Sequence, residues 1–214
     1  MRAGGAAMKH APAVAVCVIS LIFSGALGAR ADQHHAAEQP GRRPGGNSIY
    51  LLNSTWTDQD GRTARLARFQ GKPLVLAMIY TSCKDACPML VLDMQKIESV
   101  LPKPALEKVQ FALFSFDPDQ DTPAQLKRYA SDHGLDTTHW TLLTGSADAV
   151  RMLAAALGVR YRKQPSGDFS HSSVITVLDS KGEIRHQQTG LAHSPAEIAT
   201  VVSDLVGSAK QPAR

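Results

Sequence analysis

Two cysteines, Cys83 and Cys87, are the residues whose type and spacing could do chemistry in this chain. They lie four positions apart within the stretch Thr81–Pro88. A disulfide across three intervening residues would close a very small loop and constrain the unfolded chain little, so a purely structural bond explains the pair poorly. The spacing instead predicts a functional pair of thiols, either for redox chemistry or for binding a soft metal ion.

The segments on either side of the thiols predict how they are presented. The apolar run Pro73–Tyr80 is typical of a strand covered on both faces, and the pattern Met89–Leu101 is typical of a helix. If Pro88 stands in the first helical turn, both sulfurs lie at the positive end of the helix dipole, which stabilises thiolates. We therefore predict a strand, a thiol loop and a helix in that order.

A third ligand would distinguish a metal site from a redox pair, because two thiolates with an imidazole suit copper, in either oxidation state, or zinc. His171 is placed for this role. It directly precedes the buried-type strand Ser173–Leu178, which we expect to neighbour the strand that feeds the thiol loop. A surface histidine in a loop is the equally weighted alternative. Four other histidines are expected at surface or cap positions: His133, His139, His186 and His193.

Three acidic residues, Asp117, Asp119 and Asp121, follow the buried-type strand Val109–Phe116 at the same end of the expected sheet. As hard carboxylates they are unsuited to bind a soft metal directly. They could order the loop or tune the site from outside it, or they could simply form a turn and supply charge at the start of the next helix. The sequence leaves these roles open.

Length and composition are those of one globular domain with appendages. The chain has 214 residues, 43% of them hydrophobic and 20% charged, and a formal net charge of +4. Residues 1–31 contribute three basic residues and no acidic one, so the remainder holds 20 basic and 19 acidic residues. No basic stripe is left in that remainder, and no nucleic-acid partner is expected.

The first 47 residues precede the expected domain. Two basic residues stand before the apolar run Ala11–Leu27, and Ala29-Arg30-Ala31 offers a cleavage site. Residues 1–31 therefore predict a secretory signal peptide or an uncleaved membrane anchor. Either one places the rest of the protein outside the cytoplasm, in the periplasm. Residues 32–47 are rich in glycine, proline and charge, which predicts a flexible linker.

Strand and helix patterns alternate through the rest of the chain. We expect a strand at Ser48–Thr57 and a short one at Thr63–Phe69, which together form an N-terminal β-hairpin. Further strands are expected at Trp140–Leu143, Val159–Arg162 and Glu183–Gln188, and helices starting at Thr122, Ser146 and Ser194. This order predicts the α/β class, with a central mixed sheet and helices on both of its faces.

Taken together, the motifs resemble those of the Sco/SenC family, which has a thioredoxin-like fold. They are Cys-x-x-x-Cys-Pro at Cys83–Pro88, Asp-Pro-x-x-Asp-Thr-Pro at Asp117–Pro123, the late histidine His171, and the turn Asp179–Gly182. The resemblance covers roughly Ser48–Val206. It implies that residues 48–206 form a thioredoxin-like domain, which leaves residues 207–214 as a disordered tail.

The resemblance also implies a function, that of a copper metallochaperone in cytochrome c oxidase assembly. Copper would be bound by Cys83, Cys87 and His171, and the protein would deliver it to, or maintain the thiols of, the binuclear copper site of the oxidase. The implied partner is the copper-site subunit of the oxidase, with another periplasmic copper chaperone or a thiol reductase as further partners. Membrane contact is expected only through an uncleaved N-terminal segment.

Other functions would use the same sulfurs. The main alternative treats Cys83 and Cys87 as the redox-active pair of a thiol–disulfide oxidoreductase without obligatory copper, and a thiol peroxidase is a weaker one because no arginine lies near Cys83 in sequence. Many family members have proline after the first cysteine, whereas this chain has Lys84, which we expect to favour the Cys83 thiolate. Thioredoxin-like enzymes have a cis-proline where this chain has Ser172-Ser173, which fits the copper family better.

Overall fold

The computed structural model describes residues 46–208, so the predicted signal or anchor (1–31), nearly all of the predicted linker (32–47) and residues 209–214 lie outside the described residues.

The described part contains a seven-stranded sheet, a separate two-stranded sheet and five helices. The strands of the large sheet are β1 (Thr55–Asp58), β2 (Thr63–Arg65), β3 (Leu74–Ile79), β4 (Gln110–Ser115), β5 (Trp140–Gly145), β8 (Val174–Leu178) and β9 (Ile184–Thr189). The small sheet pairs β6 (Tyr161–Lys163) with β7 (Phe169–His171). The helices are α1 (Ala86–Val100), α2 (Lys103–Leu106), α3 (Pro123–Asp132), α4 (Ala147–Leu157) and α5 (Ala196–Ser208).

Strand β3 lies inside the large sheet, whose spatial order is β2-β1-β5-β4-β3-β8-β9. It pairs in parallel with β4 and antiparallel with β8, so that Ala77 stands opposite Leu113 on one side and Ile175 on the other. All six residues of β3 are buried. This confirms the predicted strand covered on both faces, and it confirms that the strand after His171 neighbours the strand that feeds the thiol loop.

The predicted strand at Ser48–Thr57 is wrong in its first half. Residues Ile49–Leu51 form a short 3-10 helix, because the Ser48 hydroxyl accepts a hydrogen bond from the Tyr50 backbone N–H at 3.1 Å and caps the turn. The second predicted strand is also shorter than expected, since Leu66–Phe69 forms another 3-10 turn. The N-terminal hairpin itself is confirmed, with β1 and β2 antiparallel.

Two of the three predicted helix caps are found where they were expected. Thr122 caps α3 and Ser146 caps α4, each through a hydrogen bond from the backbone N–H three residues later. Gly158 ends α4 with a positive φ of 67°, a conformation that suits glycine. The short helix α2 was not expected, since four residues give no periodic pattern, and α5 continues two residues past the expected end at Val206.

Helix α1 joins the thiol loop to the hydrophobic core. Its buried apolar positions recur at helical spacing and comprise Cys87, Leu90, Val91, Met94 and Ile97. Each buried leucine-sized side chain stabilises the fold by about 1.5–3 kcal/mol, so the start of α1 is held as firmly as the core itself. Helix α5 packs against α1. Among residues 46–208, no helix is both long enough and apolar enough to cross a bilayer.

Candidate metal centre

The fold brings together the three side chains that the sequence proposed as ligands. The sulfurs of Cys83 and Cys87 and a ring nitrogen of His171 all lie within 4.8 Å of one another. The Cys87 Sγ stands 3.6 Å from His171 Nε2, and the Cys87 backbone N–H donates to the Cys83 Sγ at 3.3 Å. Both cysteines are free thiols. Within the described part of the chain, no other group of such side chains is placed to hold a metal ion.

Strand β3 and helix α1 place the two sulfurs. After β3 the chain turns back, with the Cys83 backbone N–H donating to the Tyr80 carbonyl at 3.3 Å, and α1 begins at Ala86. Pro88 thus stands in the first helical turn, as predicted, where a missing N–H does no harm. Cys87 is fully buried on the core side of α1, whereas Cys83 precedes the helix and is half-buried.

His171 is the last residue of β7 rather than part of a loop, although no strand was predicted there. It pairs across the small sheet with Tyr161. Its ring packs against Phe116, with ring centroids 5.1 Å apart, and edge-on against Tyr80 at 6.0 Å. Its Nδ1 lies 3.3 Å from the Ser172 carbonyl oxygen. A proton on Nδ1 would leave the Nε2 lone pair directed at the sulfurs, as a metal ligand requires.

An aromatic cluster attaches the small sheet to the large one. Phe116, which follows β4, stacks on Tyr161 at 5.4 Å and meets Phe169 edge-on at 5.1 Å. Tyr80, which follows β3, contacts Phe169 at 5.1 Å. The sequence patterns described above did not predict this cluster. The alternation of Tyr161 with polar neighbours, and of Phe169 with Ser170 and His171, was the available signal for a two-faced hairpin.

The two thiols have opposite electrostatic surroundings. Burial disfavours ionisation of Cys83, but the backbone N–H groups of Cys87 and Asp85 stabilise its thiolate, and the net effect lowers the pKa of Cys83. Burial raises the pKa of Cys87 strongly, and the charge of Cys83 adds to this. The stabilising groups at Cys83 are chiefly backbone donors at the start of α1, rather than the Lys84 ammonium that the sequence suggested.

Two of the three acidic residues after β4 order the site without reaching its ligands. Asp121 is 1% exposed and accepts hydrogen bonds from the Thr81 backbone N–H at 3.1 Å, the Thr81 hydroxyl at 2.5 Å and the Ser115 hydroxyl at 2.6 Å. It therefore ties the start of the thiol loop to the end of β4. Asp117, also buried, lies 3.4 Å from the Lys163 ammonium on the hairpin. Asp119 is exposed.

The other histidines of residues 46–208 do not join the centre. His133 ends α3, stacks on Tyr129 with ring centroids 3.9 Å apart and lies near its carbonyl, as expected of a cap residue. The Nε2 atom of His193 lies 3.0 Å from the Thr189 carbonyl oxygen, and that of His186 lies 3.8 Å from a Glu197 carboxylate oxygen. His171 is thus the histidine that the fold selects.

The donor set fits a soft metal ion. Two sulfurs and one imidazole suit copper, and carboxylates, which suit hard ions, stand outside the ligand distance. The site is open on one side, where a cavity of about 520 Å³ is lined by Tyr80, Cys83, Lys84, Phe169 and His171. A ligand from another molecule can approach Cys83 and His171 from that side, whereas Cys87 is covered.

Known proteins share both the sequence and this fold. The chain is 27% identical to the SCO1 protein homologue of Bacillus subtilis over 71% of its own length and 78% of that protein. The crystal structure of a SCO1/SenC family lipoprotein from Bacillus anthracis is similar with a TM-score of 0.67 and 27% identity, over 77% of this chain and 98% of that one. The structure of Bradyrhizobium japonicum ScoI with copper bound is similar with a TM-score of 0.61 and 27% identity, over 71% and 96%.

These similarities confirm the expected thioredoxin-like fold with a mixed central sheet flanked by helices. The chain spans about half the length of the mitochondrial SCO2 homologues that it also matches. The family model described as SCO1/SenC matches residues 51–207, which include both cysteines and His171. On these grounds the chain belongs to the SCO1/SenC family.

Proposed function

We propose that this protein is a copper chaperone that binds one copper ion through Cys83, Cys87 and His171. The observation that carries the proposal is the approach of two sulfurs and an imidazole nitrogen to within 4.8 Å of one another. Ligands from a loop, a helix and a hairpin that converge in this way make a preorganised soft site. The copper bound in the Bradyrhizobium japonicum relative supports the choice of metal.

Delivery is favoured by the openness of the site. Cys83 is half-buried and borders the cavity with His171, so a thiolate or imidazole of a partner can displace them one at a time. We propose that the acceptor is the binuclear copper site of cytochrome c oxidase, on its copper-site subunit, and that the protein delivers copper to it or maintains its thiols. Another periplasmic copper chaperone or thiol reductase would load or reduce the protein.

We further propose that this exchange takes place outside the cytoplasm. The support is the pattern of residues 1–31, a charged start, an apolar run and small residues at the end. Protein fusions that report on which side of the membrane the chain lies would test it, and a cytoplasmic location of residues 46–208 would contradict it.

The difference in pKa between the two thiols favours a second function, that of a thiol–disulfide reductase. The pKa of Cys83 is lowered and that of Cys87 is raised, and the Cys87 N–H already contacts the Cys83 sulfur at 3.3 Å. In a reductase, the Cys83 thiolate would attack a partner disulfide and release one partner thiolate. Cys87, after losing its proton, would then attack Cys83, release the second thiolate and leave a Cys83–Cys87 disulfide, so that two electrons reach the partner.

The variant His171→Ala separates the two functions. Removing one of three ligands should weaken copper binding on the order of 100-fold, because each ligand of such a site contributes several kcal/mol. Alkylation of the two thiols should stay close to wild type. The measurement is a titration of the reduced protein with Cu(I) and Cu(II), which follows the sulfur-to-copper charge-transfer band of the Cu(II) form.

A matched control is His139→Ala, since His139 precedes β5 at the end of the sheet opposite the thiols. It should bind copper like the wild type. Unchanged copper binding in His171→Ala would refute the proposed ligand set. If the wild type bound neither Cu(I) nor Cu(II), the reductase function would replace the chaperone function.

A further inference from the structure

The hairpin that carries His171 has two different faces. Side chains alternate along its strands, so Tyr161 and His171, which pair with each other, point to the aromatic cluster. The neighbours of these two residues point the other way. Arg162 pairs with Ser170, and the ladder extends to Arg160, whose carbonyl accepts a hydrogen bond from the Ser172 N–H at 2.9 Å. We call the side formed by Arg160, Arg162, Ser170 and Ser172 the outer face.

The outer face presents two exposed guanidinium groups. Neither Arg160 nor Arg162 has an ion-pair partner among the residues that the structure describes. Lys163, which points to the inner side, is by contrast engaged, with its ammonium 3.4 Å from an Asp117 carboxylate oxygen and 3.8 Å from one of Asp119. The outer face therefore carries two positive charges, those of Arg160 and Arg162, that no ion pair within the described residues neutralises.

A shallow cavity of about 390 Å³ lies on the outer face. It is lined by the four outer-face residues together with Tyr161 and His171. The two arginines thus stand next to the copper-ligand residue. A molecule held by the guanidinium groups would contact the hairpin directly beside the open site.

Charge is distributed unevenly between the hairpin and the rest of the domain. Residues 46–208 contain 16 basic and 17 acidic residues, whereas the segment 159–172 contains three basic residues and one acidic residue. The remainder of the domain is therefore slightly acidic. An acidic molecule would be repelled weakly by most of the surface and attracted to this hairpin.

We propose that the outer face is the docking surface for an acidic segment of a protein partner. The inference deepens the proposed function, because it names the chemistry by which the partner at the metal centre is recognised. Guanidinium groups present a fixed fork of N–H donors that matches carboxylates, and charges at the rim of an interface govern the rate and register of docking. The docked partner would lie beside the open site, because Ser170 and His171 line both the outer-face cavity and the cavity that borders Cys83.

An acidic protein fits better than an anionic membrane surface. Large exposed apolar side chains, which membrane-surface segments need in order to insert, are found elsewhere in the described domain and not within residues 159–172. Ligand exchange at the centre also requires side chains from the partner, which a lipid headgroup does not supply.

The test compares two charge-matched double variants of the full chain. R160Q/R162Q removes the two outer-face charges. K103Q/K108Q removes two exposed charges, one at the start of α2 and one just after it, at the end of the sheet opposite the thiols. The probe is a fluorescein-labelled peptide of eight glutamates, and its binding is followed by fluorescence anisotropy at low salt. A peptide of eight lysines and phosphatidylglycerol vesicles are measured alongside.

The glutamate peptide should bind the wild type and lose at least about fivefold in affinity with R160Q/R162Q, since two exposed charge pairs are lost. With K103Q/K108Q the loss should stay below about twofold. Screening by about 0.5 M salt should remove the difference. Equal losses in the two variants, no peptide binding by the wild type, or vesicle binding as the sole change in R160Q/R162Q would each overturn the proposal.

Copper titration of the same proteins keeps the two proposals apart. R160Q/R162Q should bind copper like the wild type, because neither arginine supplies a ligand. A wild type that bound the glutamate peptide but no copper would contradict the chaperone function and leave the docking surface standing. A wild type that bound copper but not the peptide would contradict the docking surface and leave the chaperone function standing.

Discussion

The thiol-bearing helix and the histidine-bearing hairpin hold their ligands in different ways. Cys87 is 0% exposed and lies on a helix face that is part of the core, behind a strand whose residues are all buried. His171 lies in a sheet of two three-residue strands, which is attached through a few aromatic contacts and the ion pairs of Lys163. Cys87 is therefore as rigid as the fold, whereas His171 depends on a peripheral element that can change without loss of the core.

The largest expected effect is on the free energy of unfolding when the buried face of helix α1 is changed. Leu90→Ala removes a 0% exposed side chain next to Cys87 and should lower the free energy of unfolding by about 2–5 kcal/mol. Leu92→Ala is the matched control, since Leu92 is 43% exposed on the same helix and should cost less than about 0.5 kcal/mol. Urea denaturation measures both. Similar losses in the two variants would show that α1 is not anchored as described.

A smaller effect is expected where the thiol loop is tied to the sheet. Asp121→Asn weakens the hydrogen bonds from Thr81 and Ser115 and should lower the free energy of unfolding by about 1–3 kcal/mol. Asp119→Asn changes an exposed carboxylate of the same loop and should have almost no effect. Thermal unfolding of both variants gives the comparison, and equal melting temperatures would contradict the role of Asp121.

On the hairpin side, we expect copper affinity to change more than stability. Phe169→Ala removes a ring that contacts Tyr80 and Phe116 and should loosen His171, with a loss of about tenfold in copper affinity. Global stability should fall less than in Leu90→Ala, because Phe169 is only half-buried. Tyr161→Phe keeps the ring and serves as the control. If Phe169→Ala bound copper normally, the aromatic cluster would not be what positions the histidine.

The smallest expected effect is a difference in alkylation between the two thiols as the pH changes. Because the pKa of Cys83 is lowered and that of Cys87 is raised, iodoacetamide should label Cys83 at a lower pH than Cys87. Ionised Cys83 adds stability above the pKa of an unfolded cysteine, and that stability is lost as the pH falls through its folded pKa. Mass spectrometry of labelled peptides measures the order, and equal labelling of both thiols would contradict it.

Much of the fold could be predicted from the sequence, because the patterns that indicate its strands and helices are local. The unbroken apolar run at β3 and the helical spacing that follows Cys87 predict their elements directly, and Thr122 and Ser146 mark helix starts through bonds to their own backbone. The errors fall where a local bond competes with a weak pattern. Ser48 turns the chain into a 3-10 helix, and the alternation in the three-residue strand β7 covers too few residues to be distinguished from a loop.

By itself the sequence determined the chemistry of this protein: two thiols at a helix entrance, a histidine before a late strand and acidic residues unsuited to soft metals. Only the tertiary structure decided that His171 reaches the sulfurs, that Cys83 is the accessible thiol and Cys87 the covered one, and that Asp121 holds the loop. The physical reason is distance along the chain. Residue type and local spacing fix reactivity, whereas the distance between Cys87 and His171, 84 positions apart, depends on strand pairing and packing of the whole sheet.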